Sequence, residues 1–256
     1  MRVKGLGRIV TLACLWVGIC HAQVASPQVS YAIVSLVGDK ITVVTLQAAV
    51  GSNLDKNIRE EVPMPDDTFD GAAVFAAGDA IKRLQPGVAT KLYSIREPKL
   101  FALQDKLLDS PNAATALAEP LKPLLAESKV THLVLITKHR ADTSVRLLDE
   151  QVGSGKLSGV GFYVDPVTVL VDRASGNRSV GFFSPYAYLT VTVLDAASLR
   201  PLRQASTTSS TLVLAANSTP AAIAWDVLTP AQKVQALKGI IREAIDEAMP
   251  RVLEPR

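Results

Sequence analysis

Apolar, β-branched residues dominate two short runs near the start of the chain, Tyr31–Val37 and Lys40–Leu46. Valine, isoleucine and threonine favour strands because their branched side chains pack well on a pleated surface. Gly38 and Asp39 separate the two runs, and a glycine at the first turn position is typical of a type II′ turn. The pattern therefore predicts that the domain opens with a β-hairpin.

Apolar residues at helical spacing indicate two amphipathic helices. The first is predicted over Asp66–Leu84, where an acidic start and a basic end match the helix dipole. The second is predicted over residues 230–249, with Thr229 as N-cap, Gln232 as capping-box partner and Pro250 as the end. Its apolar face consists of Val234, Leu237, Ile241, Ile245 and Ala248.

The segments between these helices indicate further strands and one more helix. Lys91–Arg96 predicts a short strand, and Pro111–Ser128 predicts a helix that its two internal prolines bend or divide. Thr131–His139 contains a continuous apolar run, the pattern of a central strand that is covered on both faces. Four later runs also predict strands: Phe162–Asp165, Thr168–Asp172, Ala187–Leu194 and Leu199–Leu214.

These elements predict the fold class and the domain organisation. The class is α/β (α+β mixed), with a mixed β-sheet, packed helices, a β-rich second half and a C-terminal amphipathic helix. Residues 30–256 are expected to form a single domain, because that length with nearly half apolar composition can bury one substantial core. Residues 23–29 are expected to be a flexible lead.

The first 22 residues have the pattern of a secretory signal peptide. Arg2, Lys4 and Arg8 form a basic start, and the apolar run Ile9–Cys20 is too short to span a bilayer as a helix. Small residues before Gln23 predict cleavage between Ala22 and Gln23. The mature protein is therefore expected to be periplasmic or secreted, without a transmembrane helix.

Removal of this leader changes the charge and the cysteine content. The precursor has 27 Lys plus Arg against 24 Asp plus Glu, and loss of the three leader bases leaves 24 of each. A neutral mature chain argues against nucleic acid as a partner. Cys14 and Cys20 both lie in the leader, so no disulfide or thiolate site is expected. A lipid anchor at Cys20 is the alternative, although Ile19 occupies a position that a small residue usually holds.

The glycine-rich segment, residues 153–161, does not match a nucleotide loop. A phosphate loop needs a glycine five residues before Gly155 and Ser or Thr after Lys156, but the chain has Glu150 and Leu157 at those positions. The segment is predicted to be a flexible loop, and no cofactor is expected. His132 and His139 lie seven residues apart without clustered carboxylates, so no metal site is expected either.

The strongest candidate for chemistry lies at the end of the predicted central strand, where Lys138, His139, Arg140 and Asp142 come together in the sequence. Ligands often bind at the carboxyl ends of strands in open α/β sheets. His139 and Asp142, with a serine or Tyr163, have the residue types of a small hydrolase site. The structural alternative is that Arg140 pairs with Asp142 while Lys138 and His139 are solvated.

An aromatic group is the second candidate. Its members are Phe162, Tyr163, Phe182, Phe183, Tyr186 and Tyr188. Such clusters usually fill a core, but Gly181–Tyr186 also has the composition of a loop, which makes Phe183 and Tyr186 candidates for an exposed binding lip.

The order of elements resembles envelope domains of the curli-secretion lipoprotein and TolB amino-terminal type. Two segments carry this resemblance, Thr131–Ile136 and Tyr188–Ala196, although Ala197 and Ser198 stand where those families have Thr-Gly. Gly161–Asp165 is also similar to a segment of an uncharacterised class of exported bacterial proteins. The resemblance implies a similar layout of the fold. The export signal, the neutral mature charge and the lack of a catalytic motif predict a non-enzymatic periplasmic protein that binds another envelope component. The alternative is the small hydrolase or a ligand-binding protein at His139 and Asp142.

Overall fold

A computed structural model describes residues 28–47, 55–64, 66–147, 150–171, 178–213, 225 and 228–253. The predicted signal peptide, its cleavage site, Cys20 and most of the predicted lead lie outside the described residues. The eleven strands of this part of the chain are β1 (Ser30–Ser35), β2 (Lys40–Thr45), β3 (Ile58–Pro63), β4 (Ala89–Tyr93), β5 (His132–Lys138), β6 (Arg140–Asp142), β7 (Val145–Leu147), β8 (Glu150–Val152), β9 (Lys156–Val171), β10 (Arg178–Asp195) and β11 (Pro201–Ser210). Its α-helices are α1 (Thr68–Leu84), α2 (Pro98–Leu107), α3 (Ala113–Ala118), α4 (Lys122–Ser128) and α5 (Pro230–Leu253).

The predicted opening hairpin is wrong. β1 pairs in parallel with β4 and β5, whereas β2 pairs with β3 and β9. Gly38 lacks the positive φ that a type II′ turn requires. The local turn signal does not determine the pairing, because apolar strands that are distant in the sequence pair with both edges of β1.

β1 and β2 are instead two consecutive strands of the chain that take separate positions in a nine-stranded mixed sheet. β5 and β9 lie end to end on one edge of β10, and β11 pairs with the opposite edge. β1 runs beside β5 and β2 runs beside β9. Residues 36–39 connect β1 to β2 at this point, and we call them the junction.

One face of the sheet is covered by α1 and α5. The prediction for α1 is confirmed, with Val74, Ala77 and Ile81 buried. α5 also forms as predicted, and Thr229 and Gln232 exchange the two hydrogen bonds of a capping box. Its predicted end at Pro250 is wrong, because burial of Val252 and Leu253 against the core extends the helix for another turn.

The opposite face has two separate coverings. α2, α3 and α4 cover the part formed by β1 and β5, where Leu133 and Leu135 are buried. Residues 140–147 and 150–152, which we call the arm, cover the part formed by β9 and the first half of β10, through Val145 and Val152. β5 is thus buried on both faces, as predicted. Helices α3 and α4, separated by a short 3-10 helix that contains Pro120, confirm the divided helix.

Two strands are much longer than the sequence predicts. β9 joins Phe162–Asp165 and Thr168–Asp172 into one strand, as far as the structure describes it, and takes in residues 156–161 of the predicted glycine-rich loop. β10 includes Gly181–Tyr186, so these residues do not form a loop. A bulge at Gly181, which has φ of 80°, allows the strand to continue past the local turn composition. Within the part of the chain that the structure describes, no helix is long and apolar enough to cross a membrane.

Candidate functional site

A groove lies between the two coverings of the same sheet face, at the carboxyl end of β5. It has a volume of about 320 Å³, and we call it the strand-end groove. Leu107, Pro111 and Ala114 form one wall, from the connection between α2 and α3. The groove exists because the helices and the arm each bury an apolar part of the sheet and leave a polar strip between them.

Hydrogen-bonding side chains form the floor of the strand-end groove. Strand pairing places Thr190 between Thr137 of β5 and Ser206 of β11, and the hydroxyls of Thr190 and Ser206 bond to each other at 2.8 Å. Thr192 and Gln204 form the next row. β10 alternates these threonines with Leu189, Val191 and Val193 on the other face, so the strip follows from period-2 patterning.

Lys138 borders the groove, but its charge is already paired. Its Nζ lies 2.7 Å from Asp39 Oδ1 and 3.0 Å from Asp105 Oδ1, and its side chain is only 6% exposed. Burial by itself raises the pKa of Asp105, but bonds from Lys40 and Lys138 outweigh it and hold that pKa below its usual value. The expectation of a solvated Lys138 is therefore wrong, and the residue ties β5 to the junction and to α2.

His139 and Arg140 also border the groove. Burial lowers the pKa of the His139 imidazole, while the charge of Asp109 opposes this shift in part. The Arg140 guanidinium lies 3.4 Å from Asp109, and both side chains are largely exposed. The predicted local pair between Arg140 and Asp142 is replaced by this contact.

The other candidates from the sequence lie elsewhere. Asp142 is 87% exposed and faces Lys156 at 3.6 Å. Phe183 and Tyr186 are fully buried, which contradicts the exposed lip and agrees with the core alternative. Tyr163 is also buried, and its hydroxyl accepts a hydrogen bond from the Ser154 N–H. The structure therefore brings Lys138, His139 and Arg140 together at the groove. The other four candidates, Asp142, Tyr163, Phe183 and Tyr186, lie elsewhere.

The aromatic residues attach the arm to the sheet. The Tyr188 hydroxyl accepts a hydrogen bond from the Ser144 N–H at 2.9 Å and donates to the Asp142 carbonyl at 3.3 Å. Tyr186 packs edge-to-face on Tyr188, and burial raises the pKa of the Tyr186 phenol. Their role in the described structure is to hold the arm in place.

Sequence reasoning missed several residues of the groove and of its support. Helix α2, which was not predicted, supplies Gln104 and Asp105. The sequence does contain a helix-start signal there, because Glu97 is an N-cap and Pro98 is a first-turn proline. Thr190 and Thr192 were inside a predicted strand, where their alternation with apolar residues marked a polar face.

Asp70 was expected to favour the start of α1 through its charge, but it is buried at the junction. Its Oδ1 accepts hydrogen bonds from the N–H groups of Val37 at 2.8 Å and Gly38 at 3.2 Å. Burial raises its pKa to about 6, despite these bonds. Among the described residues, no cluster of three or more His, Cys, Asp or Glu side chains is placed to hold a metal ion.

Comparison with known proteins assigns no family to this chain. No protein-family model and no curated protein matches it. One solved structure, the protein XCC0632 of family DUF330 from Xanthomonas campestris, is similar over 86% of this chain and 80% of that chain. The sequence identity is 9% and the TM-score is 0.31. A likeness at this level does not establish a shared fold.

Proposed function

We propose that this chain is an exported, non-enzymatic binding protein of the bacterial envelope, and that the strand-end groove contacts its ligand or partner. One observation carries the binding role. The groove lies between two apolar coverings, and its floor presents hydroxyl and amide groups from three adjacent strands. A polar strip of this kind on a rigid sheet suits recognition.

The arrangement of titratable groups favours binding over the alternative, a small hydrolase. A hydrolytic triad needs an acid that orients the histidine. Asp142 is directed toward Lys156, and Asp109, whose charge acts on His139, is exposed and contacts Arg140. Tyr163 is engaged with Ser154 beneath the arm. Among the described residues, these contacts engage Asp109, Asp142 and Tyr163 elsewhere, so none of the three is placed as the hydrolase hypothesis requires.

Export and an envelope location rest on the sequence. The leader pattern of residues 1–22 and the resemblance of Thr131–Ile136 and Tyr188–Ala196 to envelope domains support them. Intact mass of the exported protein tests this part. A soluble species that begins at Gln23 agrees with the proposal, as does a lipidated species that begins at Cys20. Recovery of the uncleaved chain in the cytoplasm contradicts it.

Photocrosslinking in cells tests the binding role. A benzophenone amino acid replaces Ser206 in the groove, and a matched variant carries it at Phe75, which is 62% exposed on α1. We expect an adduct of one defined mass at position 206 and none at 75. The substitution Gln204→Trp, at an exposed position of the groove, is expected to abolish that adduct with the melting temperature unchanged. Equal labelling at both positions contradicts the proposal.

A further inference from the structure

We infer that the strand-end groove takes a small hydroxylated ligand that carries one carboxylate, the chemistry of a sugar acid. This inference rests on the binding role proposed above and specifies the ligand of the same site. It combines three properties of the groove: the groups on its floor, the Arg140 guanidinium at its edge, and its size.

The floor matches ligand hydroxyls. Threonine and serine hydroxyls both donate and accept. Thr190 and Ser206 use one donor on their mutual bond, and the row that they form with Thr137 keeps donors and acceptors for ligand hydroxyls. Gln204 adds an amide with both donors and an acceptor. The opposite wall, with Leu107 and Pro111, is aliphatic. A sugar ring has the same two-sided character, with hydroxyls at its rim and C–H groups on its faces.

The charges at the groove select an anion of low charge. Lys138 is bonded to two carboxylates, and Gln104 uses its amide N–H on the Leu36 carbonyl and its amide oxygen on the Lys138 N–H. Within the part of the chain that the structure describes, Arg140 makes one ion pair, the exposed contact to Asp109 at 3.4 Å. An exposed ion pair of this kind is weak, so an incoming carboxylate can replace Asp109 and form a bidentate contact with the guanidinium.

The size of the groove limits the ligand. A volume of about 320 Å³ is at the lower end of small-molecule sites. It suits one sugar ring, either as a free sugar acid or as the end of an acidic glycan. Both sources share the same chemistry, and the experiment separates them.

Calorimetry and amide NMR on the purified protein test the inference with three probes: D-glucuronate, D-glucose and acetate. We expect glucuronate to bind at least tenfold more tightly than either of the other two. Its shift changes should be confined to Thr137–Arg140, Thr190–Thr192 and Gln204–Ser206. A tetrasaccharide that ends in glucuronate separates the two sources, since tighter binding than the monosaccharide indicates a glycan.

Two arginine variants supply the decisive comparison. Arg140→Gln should weaken glucuronate at least tenfold while leaving glucose within twofold. Arg242→Gln is the matched control, because Arg242 makes a similar loose pair, 3.6 Å from Asp79, on the other side of the sheet. Glucuronate binding that equals acetate binding, or that survives Arg140→Gln, overturns the ligand class. If the crosslinked adduct at position 206 persists in that case, the binding role still stands. If both the adduct and the Arg140-dependent binding of glucuronate are absent, the two proposals are overturned together.

Discussion

At the scale of single residues, Asp70 is a carboxyl group whose environment differs strongly from that of a free side chain. It holds the junction by accepting hydrogen bonds from two backbone N–H groups, which lower its pKa. Burial outweighs them and raises the pKa to about 6. A folded state that binds a proton more tightly than the unfolded state loses stability as the pH rises. For Asp70 this loss extends from about pH 4, the unfolded value, to the folded pKa of about 6.

Asp70→Asn should remove this pH dependence, since the amide oxygen keeps both acceptor bonds without a charge. The free energy of unfolding of the variant, relative to the natural protein, should rise by about 1–3 kcal/mol between pH 4 and pH 7. Urea denaturation at several pH values measures it. If the free energies of unfolding of the two proteins change in parallel with pH across this window, Asp70 is not the source of the pH dependence.

Gly161 allows two strands to approach closely. A Cβ at this position would lie 1.9 Å from the Thr42 carbonyl oxygen of β2. Gly161→Ala must therefore separate β2 from β9 and should cost about 3 kcal/mol or more. Gly239→Ala is the control, because a Cβ there meets nothing within 4 Å and a helical alanine should stabilise α5 by about 0.5–1 kcal/mol. Thermal denaturation compares the two, and similar effects would refute the close approach.

At the scale of elements, the arm depends on tyrosine hydroxyls from the sheet beneath it. Tyr188→Phe removes the acceptor for the Ser144 N–H and the donor to the Asp142 carbonyl. We expect a loss of about 1–2 kcal/mol, with faster amide hydrogen exchange in residues 141–154. Tyr31→Phe is the control, because it removes only a bond to Gln85 near the end of α1. Unchanged exchange in the arm would show that packing alone holds it.

The sequence predicted elements whose signals are local, and failed where pairing is non-local. The capping box at Thr229 and Gln232 and the apolar run of β5 depend on neighbours in the chain, and both predictions are confirmed. The hairpin at Gly38 failed because β4, β5 and β9 supply partners for β1 and β2 from far along the chain. The loop around Gly181 failed because a bulge lets β10 continue its pairing with β9 past the local turn composition. In the groove, the sequence found His139 and Arg140 but not the threonines, whose meaning depends on what covers the sheet.

At the scale of the whole molecule, one ion network joins the sheet, the junction and the α2 layer. Lys138 of β5 bonds Asp39 of the junction and Asp105 of α2, and Lys40 also bonds Asp105. A buried cation between two carboxylates contributes little by itself, but its removal leaves like charges close together. The network therefore ties α2 and the junction to the sheet at the position where β5 ends.

Lys138→Met should lower the free energy of unfolding by about 3 kcal/mol at pH 7. Bonds to Lys40 and Lys138 lower the folded pKa of Asp105, so their contribution is present above about pH 4 and is lost as the pH falls through the folded value. The difference between variant and natural protein should therefore shrink toward pH 3. Lys122→Met, which breaks an exposed pair with Glu119, should cost under about 1 kcal/mol. A deficit for Lys138→Met that does not change with pH would exclude this network as its source.

The position of β10 in the sheet determines when the chain can fold during synthesis. β5, β9 and β11 all pair with β10, and β10 is complete only at Asp195. A ribosome-bound chain that ends before this strand has no partner for the buried edges of β5 and β9. The fold therefore forms late, after more than two thirds of the chain has been made, and nascent chains that end before β10 should remain sensitive to protease.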